Sequence, residues 1–262
     1  MNLFLRLFLC ALLVGLTAGL AQSAVQRWQV VPIIEAAEVF ETAAEPPAQV
    51  EHSHASGEAH EHHADAWAPA DGVERTFWTV VANVLTATGF ALILIPAIAW
   101  WDRQRDGSSA TWRAGIAWGF AGWFCLFLWP SLGLTPGIPG EASAALSHRQ
   151  GWWLLAAVGA AGGLATLAFG RGAIRGAGLL LLAIPFIVGA PLHDGPEFPE
   201  ATAEAAAQLV ALKSQFFAAT AFASVIQWIL LGTLSGLIVA RWLRPSMSTT
   251  TAPLAAGAGS QA

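Results

Sequence analysis

Charge is what this sequence has least of. Asp, Glu, Lys and Arg together make up 11% of its 262 residues, against roughly 25% in an ordinary soluble chain. That shortage excludes a soluble domain with a normal polar surface. Tyrosine is absent, while tryptophan occurs 13 times, a ratio that suits a chain whose aromatic residues sit at membrane interfaces. The two cysteines, Cys10 and Cys125, both lie within apolar runs. No CxxC pair or disulfide framework follows from them, and both read as small buried hydrophobes. A Walker A pattern is missing, which excludes ATP hydrolysis by this chain itself. So are HExxH, GxSxG and any spaced triad, so nothing supports an enzyme or a permanently bound cofactor. There is no basic patch, and the formal net charge of −5 argues against a nucleic-acid partner.

What is abundant is apolar length. Hydrophobic residues reach 55% and the mean hydropathy is +0.56. A spanning helix needs about 20 mostly apolar residues. The stretches 7–25, 77–101, 112–132, 152–169, 174–190 and 216–242 meet or approach that length. The pattern predicts an all-α integral membrane protein with about six transmembrane helices and the lipid bilayer as its first partner. Residues 1–30 form a first helix of signal-anchor type and 31–76 an acidic, His-rich external loop. Residues 77–243 form a five-helix bundle and 244–262 a disordered tail. Arg6, the short apolar core and Ala21-Gln22-Ser23-Ala24 also resemble a cleavable signal, whose removal would leave five spans. Only Gly170-Arg171-Gly172-Ala173 separates the fourth and fifth stretches, so a tight antiparallel hairpin is expected. Gly159, Ala160, Ala161, Gly162 and Gly163 let its helices approach closely.

Arginine and lysine placement sets the expected orientation. With the N-terminus inside, Arg6, Arg103, Arg105, Arg113, Arg171, Arg175, Arg241 and Arg244 fall inside. Arg27, Arg75, Arg149 and Lys213 fall outside. Both termini are then cytoplasmic.

The sharpest chemical feature lies in the first external loop. His52, His54, His60, His62 and His63 fall within twelve residues, interleaved with Glu51, Glu58, Glu61 and Asp65. Imidazole and carboxylate are ligands that cobalt, nickel, zinc and copper accept. With no apolar periodicity around it, the tract reads as a flexible collector of a divalent ion. Its affinity should fall as pH drops through about 6.5, where protons compete for the imidazoles. Glu35, Glu38 and Glu41 follow Pro32 and, if the backbone is helical there, share one face. They read either as an oxygen site for a cation or as the solvated side of an interfacial turn whose apolar side is Ile33, Ile34, Val39 and Phe40. His193, after Gly189-Ala190-Pro191, is either a second ligand or an exposed loop residue. Within the spans, Asn83 and Gln227 carry amides that serve interhelical hydrogen bonds or line a passage.

Several strings together resemble the CbtA family of predicted cobalt-transporter subunits, from about Leu7 to Leu243. Val31-Pro32-Ile33-Ile34-Glu35-Ala36-Ala37-Glu38-Val39-Phe40-Glu41 is similar to the family's proline-then-glutamates signature, in which Tyr is common at the Phe40 position. Ala66-Trp67-Ala68-Pro69-Ala70-Asp71-Gly72-Val73-Glu74-Arg75-Thr76 is the most specific string. Pro130-Ser131-Leu132-Gly133-Leu134-Thr135-Pro136, Arg149-Gln150-Gly151-Trp152-Trp153 and Pro185 through Pro191 also fit. Phe186, Ser224 and the Gln227-Trp228 pair depart from the family's usual residues. The resemblance implies a subunit of a Co2+ uptake system in a bacterial inner membrane, working with a small single-span, His-containing CbtB-type subunit. From the residues alone, a nickel or zinc permease remains an alternative, as does a non-transporting metal sensor or scaffold.

Overall fold

The computed structural model describes residues 3–44, 69–105 and 107–244. All regular structure among them is helical: α1 Leu3–Val25, α2 Val31–Ala44, α3 Val73–Gln104, α4 Trp112–Trp123, the short α5 Trp129–Ser131, α6 Leu146–Phe169, α7 Ile174–Val188 and α8 Ala203–Ile238. Wider π-helical turns at Gln26–Val30 and Phe124–Leu128 join α1 to α2 and α4 to α5, and another at Val239–Leu243 ends α8. Each is followed, two residues on, by a proline: Pro32, Pro130 and Pro245. Proline has no N–H and its ring presses on the carbonyl four residues back. In each case the residue before the proline bonds five residues back instead: Val31 to Gln26, Trp129 to Phe124 and Arg244 to Val239. At Pro32 and Pro130 the helix widens by one residue rather than breaking.

Five stretches are long and apolar enough to cross a membrane: Leu3–Phe40, Val73–Gln104, Trp112–Ser131, Leu146–Phe169 and Ala203–Leu243. The expected fifth stretch forms α7, whose 15 residues reach about 22 Å, short of the roughly 30 Å hydrocarbon core. It stops at Gly189, whose φ of 84° is a left-handed cap that an L side chain resists. As expected, α6 and α7 form an antiparallel hairpin. Gly159 meets Leu181, and Gly163 meets Gly178 and Leu182. The Leu181 carbonyl, left without its helical donor by Pro185, faces Gly159, where a Cβ would come within 2.8 Å of it.

Small residues make the other seams. Along α1 and α3, Gly15 lies on Thr88 and Gly19 on Val84. Along α4 and α8, Gly115 and Gly119 lie on Gly232 and Trp228, with Gly236 against Thr111 and Gly115. Dispersion between closely approaching backbones, rather than exclusion from water, holds helices together in lipid. Between these seams Val14, Ile95, Ile98, Leu231, Val239 and Leu243 form a buried centre, with Phe90 and Trp228 rings 4.8 Å apart.

The bundle has two distinct ends. The terminal end holds the start of α1 beside the finish of α8, where Arg6 and Cys10 lie near Trp242 and Leu243. The distal end carries a cap. The first span has 38 residues and the last 41, about 57 and 61 Å at 1.5 Å per residue, so both overrun the hydrocarbon thickness. Their distal parts join the segments between α5 and α6 and between α7 and α8. Ala37, Ile138, Phe198 and Leu209 form the cap's own apolar cluster, with Phe40 and Phe216 against it.

Candidate functional site

The cap gathers charge that the bundle lacks. Arg75, in the first turn of α3, grips Glu38 of α2 with both ends of its guanidinium, Nη2 to Oε1 at 2.7 Å and Nη1 to Oε2 at 3.4 Å. It also reaches Asp71 at 3.2 Å. Glu35 pairs with Arg27 at 3.5 Å on an exposed face. Two members of the expected acidic face are therefore engaged by arginines. Glu41 belongs to α2, but its side chain lies outside the described residues, as do His52, His54, His60, His62 and His63. Among the described residues, no three His, Cys, Asp or Glu side chains converge as a metal-holding group. The described ends of the 31–76 stretch are helical: α2 continues the first span, and Val73 to Thr76 open α3.

His193 falls on the wall of a cap cavity of about 750 Å³, together with Glu141, Arg149, Gln150, Trp153, Glu197 and Lys213. Lys213, the chain's single lysine, rises from α8 and donates to Glu141 Oε1 at 2.8 Å and to Glu197. Glu141 Oε2 in turn accepts from the Ile138 backbone at 3.2 Å, and Ala142 N–H donates to the Glu197 carbonyl at 2.9 Å. One ammonium thus ties the two cap segments to α8. Two indoles brace the end of α7: Trp152 Nε1 donates to Pro185 O at 2.9 Å and Trp129 Nε1 to Leu182 O at 3.2 Å. Pro185 O also accepts from the Gly189 N–H at 3.0 Å, so the Trp152 indole adds a second bond to that carbonyl.

Beneath the cap a polar seam enters the bundle. Asn83 of α3 donates to Ser23 Oγ at 3.0 Å and to Gln26 Oε1 at 2.6 Å. The Gln22 Oε1, one residue before Ser23, is buried without a partner. Gln227 is buried on α8, one residue before the Trp228 whose ring packs at a tilt against Phe90. Its neighbour in depth is therefore Phe90 rather than Asn83, and the two amides lie at different levels.

At the terminal end, Asp102 is fully buried. Arg244 Nε and Nη2 donate to Oδ2 and Oδ1 at 3.0 Å each, and Ala110 N–H adds a bond to Oδ1 at 2.6 Å. Arg244 also donates to Ala110 O at 3.0 Å. These bonds join the end of α3, the segment before α4 and the end of α8. Sequence reading passed over Asp102, Arg244, Glu141, Glu197 and Lys213, because each looks like an isolated boundary charge. The lone lysine was the available signal.

Five spanning helices, small-residue seams and one charged cap define a multi-pass α-helical membrane protein. The chain belongs to the CbtA family, described as a probable cobalt transporter subunit, which it matches over residues 4–240. A transporter subunit is not an enzyme class, and Co2+ is the ion the family points to. No curated protein and no solved structure matches the chain.

Proposed function

We propose that this chain is the membrane-embedded subunit of a Co2+ uptake system in a bacterial inner membrane, with its distal cap outside and both chain termini inside. The observation that carries the reading is the cap itself. Residues 44 and 69, which flank the histidine tract in sequence, both border the cap, so a tract tethered there delivers ions to a surface already holding Glu35, Glu38, Glu141, Glu197 and His193. The tract's imidazoles collect Co2+. The cap receives it, with arginine and lysine holding the carboxylates in place until the ion competes for them. The seam of Asn83, Ser23, Gln26 and Gln22 offers amide and hydroxyl oxygens in place of lost hydration water as the ion enters the bundle. Gln227 continues that polar lining at a deeper level. A small single-span, His-containing CbtB-type subunit completes the system.

The test is uptake of radiolabelled Co2+ into cells lacking their own cobalt importers. The chain is expressed with and without the small subunit, and with His52, His54, His60, His62 and His63 replaced by Ala. Uptake that requires the chain, falls in the histidine variant and resists competition by nickel and zinc supports the reading. Insertion into the membrane with no accumulation in either condition overturns it. Uptake suppressed chiefly by nickel or zinc overturns the choice of ion.

A further inference from the structure

The terminal end of the bundle carries a cavity of about 520 Å³ between the start of α1 and the finish of α8. Arg6, Leu9, Cys10, Leu13, Trp242 and Leu243 line it. Cys10 and Leu243 are buried and form its floor, whereas Leu9, Leu13 and Trp242 are exposed and form its walls. Across the wide turn Val239–Leu243, Leu243 faces the core and Trp242 stays outside. Both helices belong to stretches apolar and long enough to cross a membrane. Apolar side chains open on that outer surface meet hydrocarbon rather than water, so the cavity is a recess in the lipid-facing wall.

The recess is polar at one end only. Arg6 is partly exposed and lies three residues from the start of α1. Leu9 and Leu13 follow about 4 and 10 Å further along the helix. Among the described residues of the lining, Arg6 is the one that carries charge. A guanidinium followed by apolar walls complements a phosphate followed by an acyl chain, and an indole at the rim favours the level where those two parts of a lipid join. The volume lies within the range of about 300–1,000 Å³ that organic ligands fill. The charge of this end favours an anionic headgroup over a zwitterionic one. Arg103, Arg113, Arg171, Arg175 and Arg241 lie at the same end of the bundle, and Asp102 there is already held by Arg244. Basic pockets between spanning helices suit acidic headgroups.

We infer that this recess binds one molecule of an anionic phospholipid from the surrounding leaflet. Its phosphate accepts from the Arg6 guanidinium. One acyl chain runs past Leu9 and Leu13 over Cys10, and the Trp242 indole flanks it. The lipid thereby fills the opening between α1 and α8 and braces their terminal ends. The inference is independent of which ion the chain carries.

Native mass spectrometry of the full chain tests it. Delipidated protein in detergent is titrated with phosphatidylglycerol, with phosphatidylethanolamine of the same acyl chains, and with glycerol 3-phosphate. The parent should retain phosphatidylglycerol over phosphatidylethanolamine by about fivefold, the discrimination that one basic side chain gives at a membrane surface. Glycerol 3-phosphate should not bind. Arg6→Gln should lose the preference and Arg6→Lys should keep part of it. Arg171→Gln, at the same end but outside the recess, should leave it unchanged. Equal retention of the two lipids by the parent, or equal loss of preference in Arg6→Gln and Arg171→Gln, would reduce the lipid to unspecific solvation and overturn the site. Glycerol 3-phosphate binding as well as phosphatidylglycerol would overturn the role of the apolar walls. A second readout needs no substitution: phosphatidylglycerol should raise the midpoint of thermal unfolding of the parent more than phosphatidylethanolamine does, and equal shifts would also overturn the assignment.

Discussion

Replacing Asp102 by Ala should loosen the terminal end of the bundle more than any other single charge change. The substitution takes the carboxylate away from the Arg244 guanidinium and the Ala110 N–H, which it now serves together at 2.6–3.0 Å. Removing one partner of a fully buried ion pair costs about 3–5 kcal/mol. Arg244 keeps 30% of its side-chain exposure, so water recovers part of its loss. Leaving one buried backbone N–H unsatisfied adds about 1–3 kcal/mol. The expected net destabilisation is about 2–4 kcal/mol, by the same reasoning on partly hydrated pairs. Reversible unfolding by SDS in mixed micelles, followed by circular dichroism, reads this directly. Arg244→Met should cost a similar amount, because it strands the carboxylate. The double variant should recover at least 1 kcal/mol of the summed losses, since interacting partners do not add. Arg103→Ala, on the exposed neighbouring position, should stay within about 0.5 kcal/mol. An Asp102→Ala variant as stable as the parent, or a coupling energy below about 0.5 kcal/mol, would refute the view that this knot holds α3, α4 and α8 together.

Gly232→Ala should destabilise by about 1–3 kcal/mol through overpacking, because its Cβ would meet Gly115 O at 2.2 Å. Gly89→Ala, which meets nothing within 4 Å, should be neutral or stabilising by up to about 1 kcal/mol, and melting temperatures in detergent distinguish the two. Asn83→Leu removes two interhelical hydrogen bonds, each worth about 0.6 kcal/mol on average in a membrane. A modest shift in unfolding with a much larger loss of cobalt uptake is expected, and a loss of uptake no greater than the fall in folded protein would reduce Asn83 to a packing residue. Glu38→Gln and Arg75→Gln should each lower uptake, and the double variant should be no worse than either. Additive losses would mean that the two act separately. Cobalt binding by the chain should weaken as pH falls below about 6.5 as imidazoles protonate; calorimetry at stepped pH showing constant affinity would remove the histidine tract from the capture role.

The helical class and the spans were legible because both are local. A run of about 20 apolar residues must be helical in lipid, whatever it later touches. The hairpin of α6 and α7 was legible from Gly170-Arg171-Gly172-Ala173 for the same reason. The three π-helical turns were not: a proline follows each by two residues, but Pro96 and Pro185 sit inside α-helices that do not widen. The shortness of α7 was also written locally, in Gly189, but composition alone ran past it into Ala190.

Charge partners were not legible, because pairing is decided by proximity across the fold rather than along the chain. Asp102 and Arg244 are 142 residues apart, and Glu141 and Lys213 are 72 apart. In a window of sequence each reads as a flanking charge at a membrane surface. The spacing of Glu35 and Glu38 puts them on one face only once the segment is helical, as α2 is, and the occupation of that face by Arg27 and Arg75 depends on where α1 and α3 end in space. The sequence by itself determined what could be buried in lipid, since that cost is set residue by residue. Only the tertiary structure decided which charges meet, which carboxylates are already held, and that a ligand-sized cavity opens beneath them, since those follow from the closing of helices far apart in the chain.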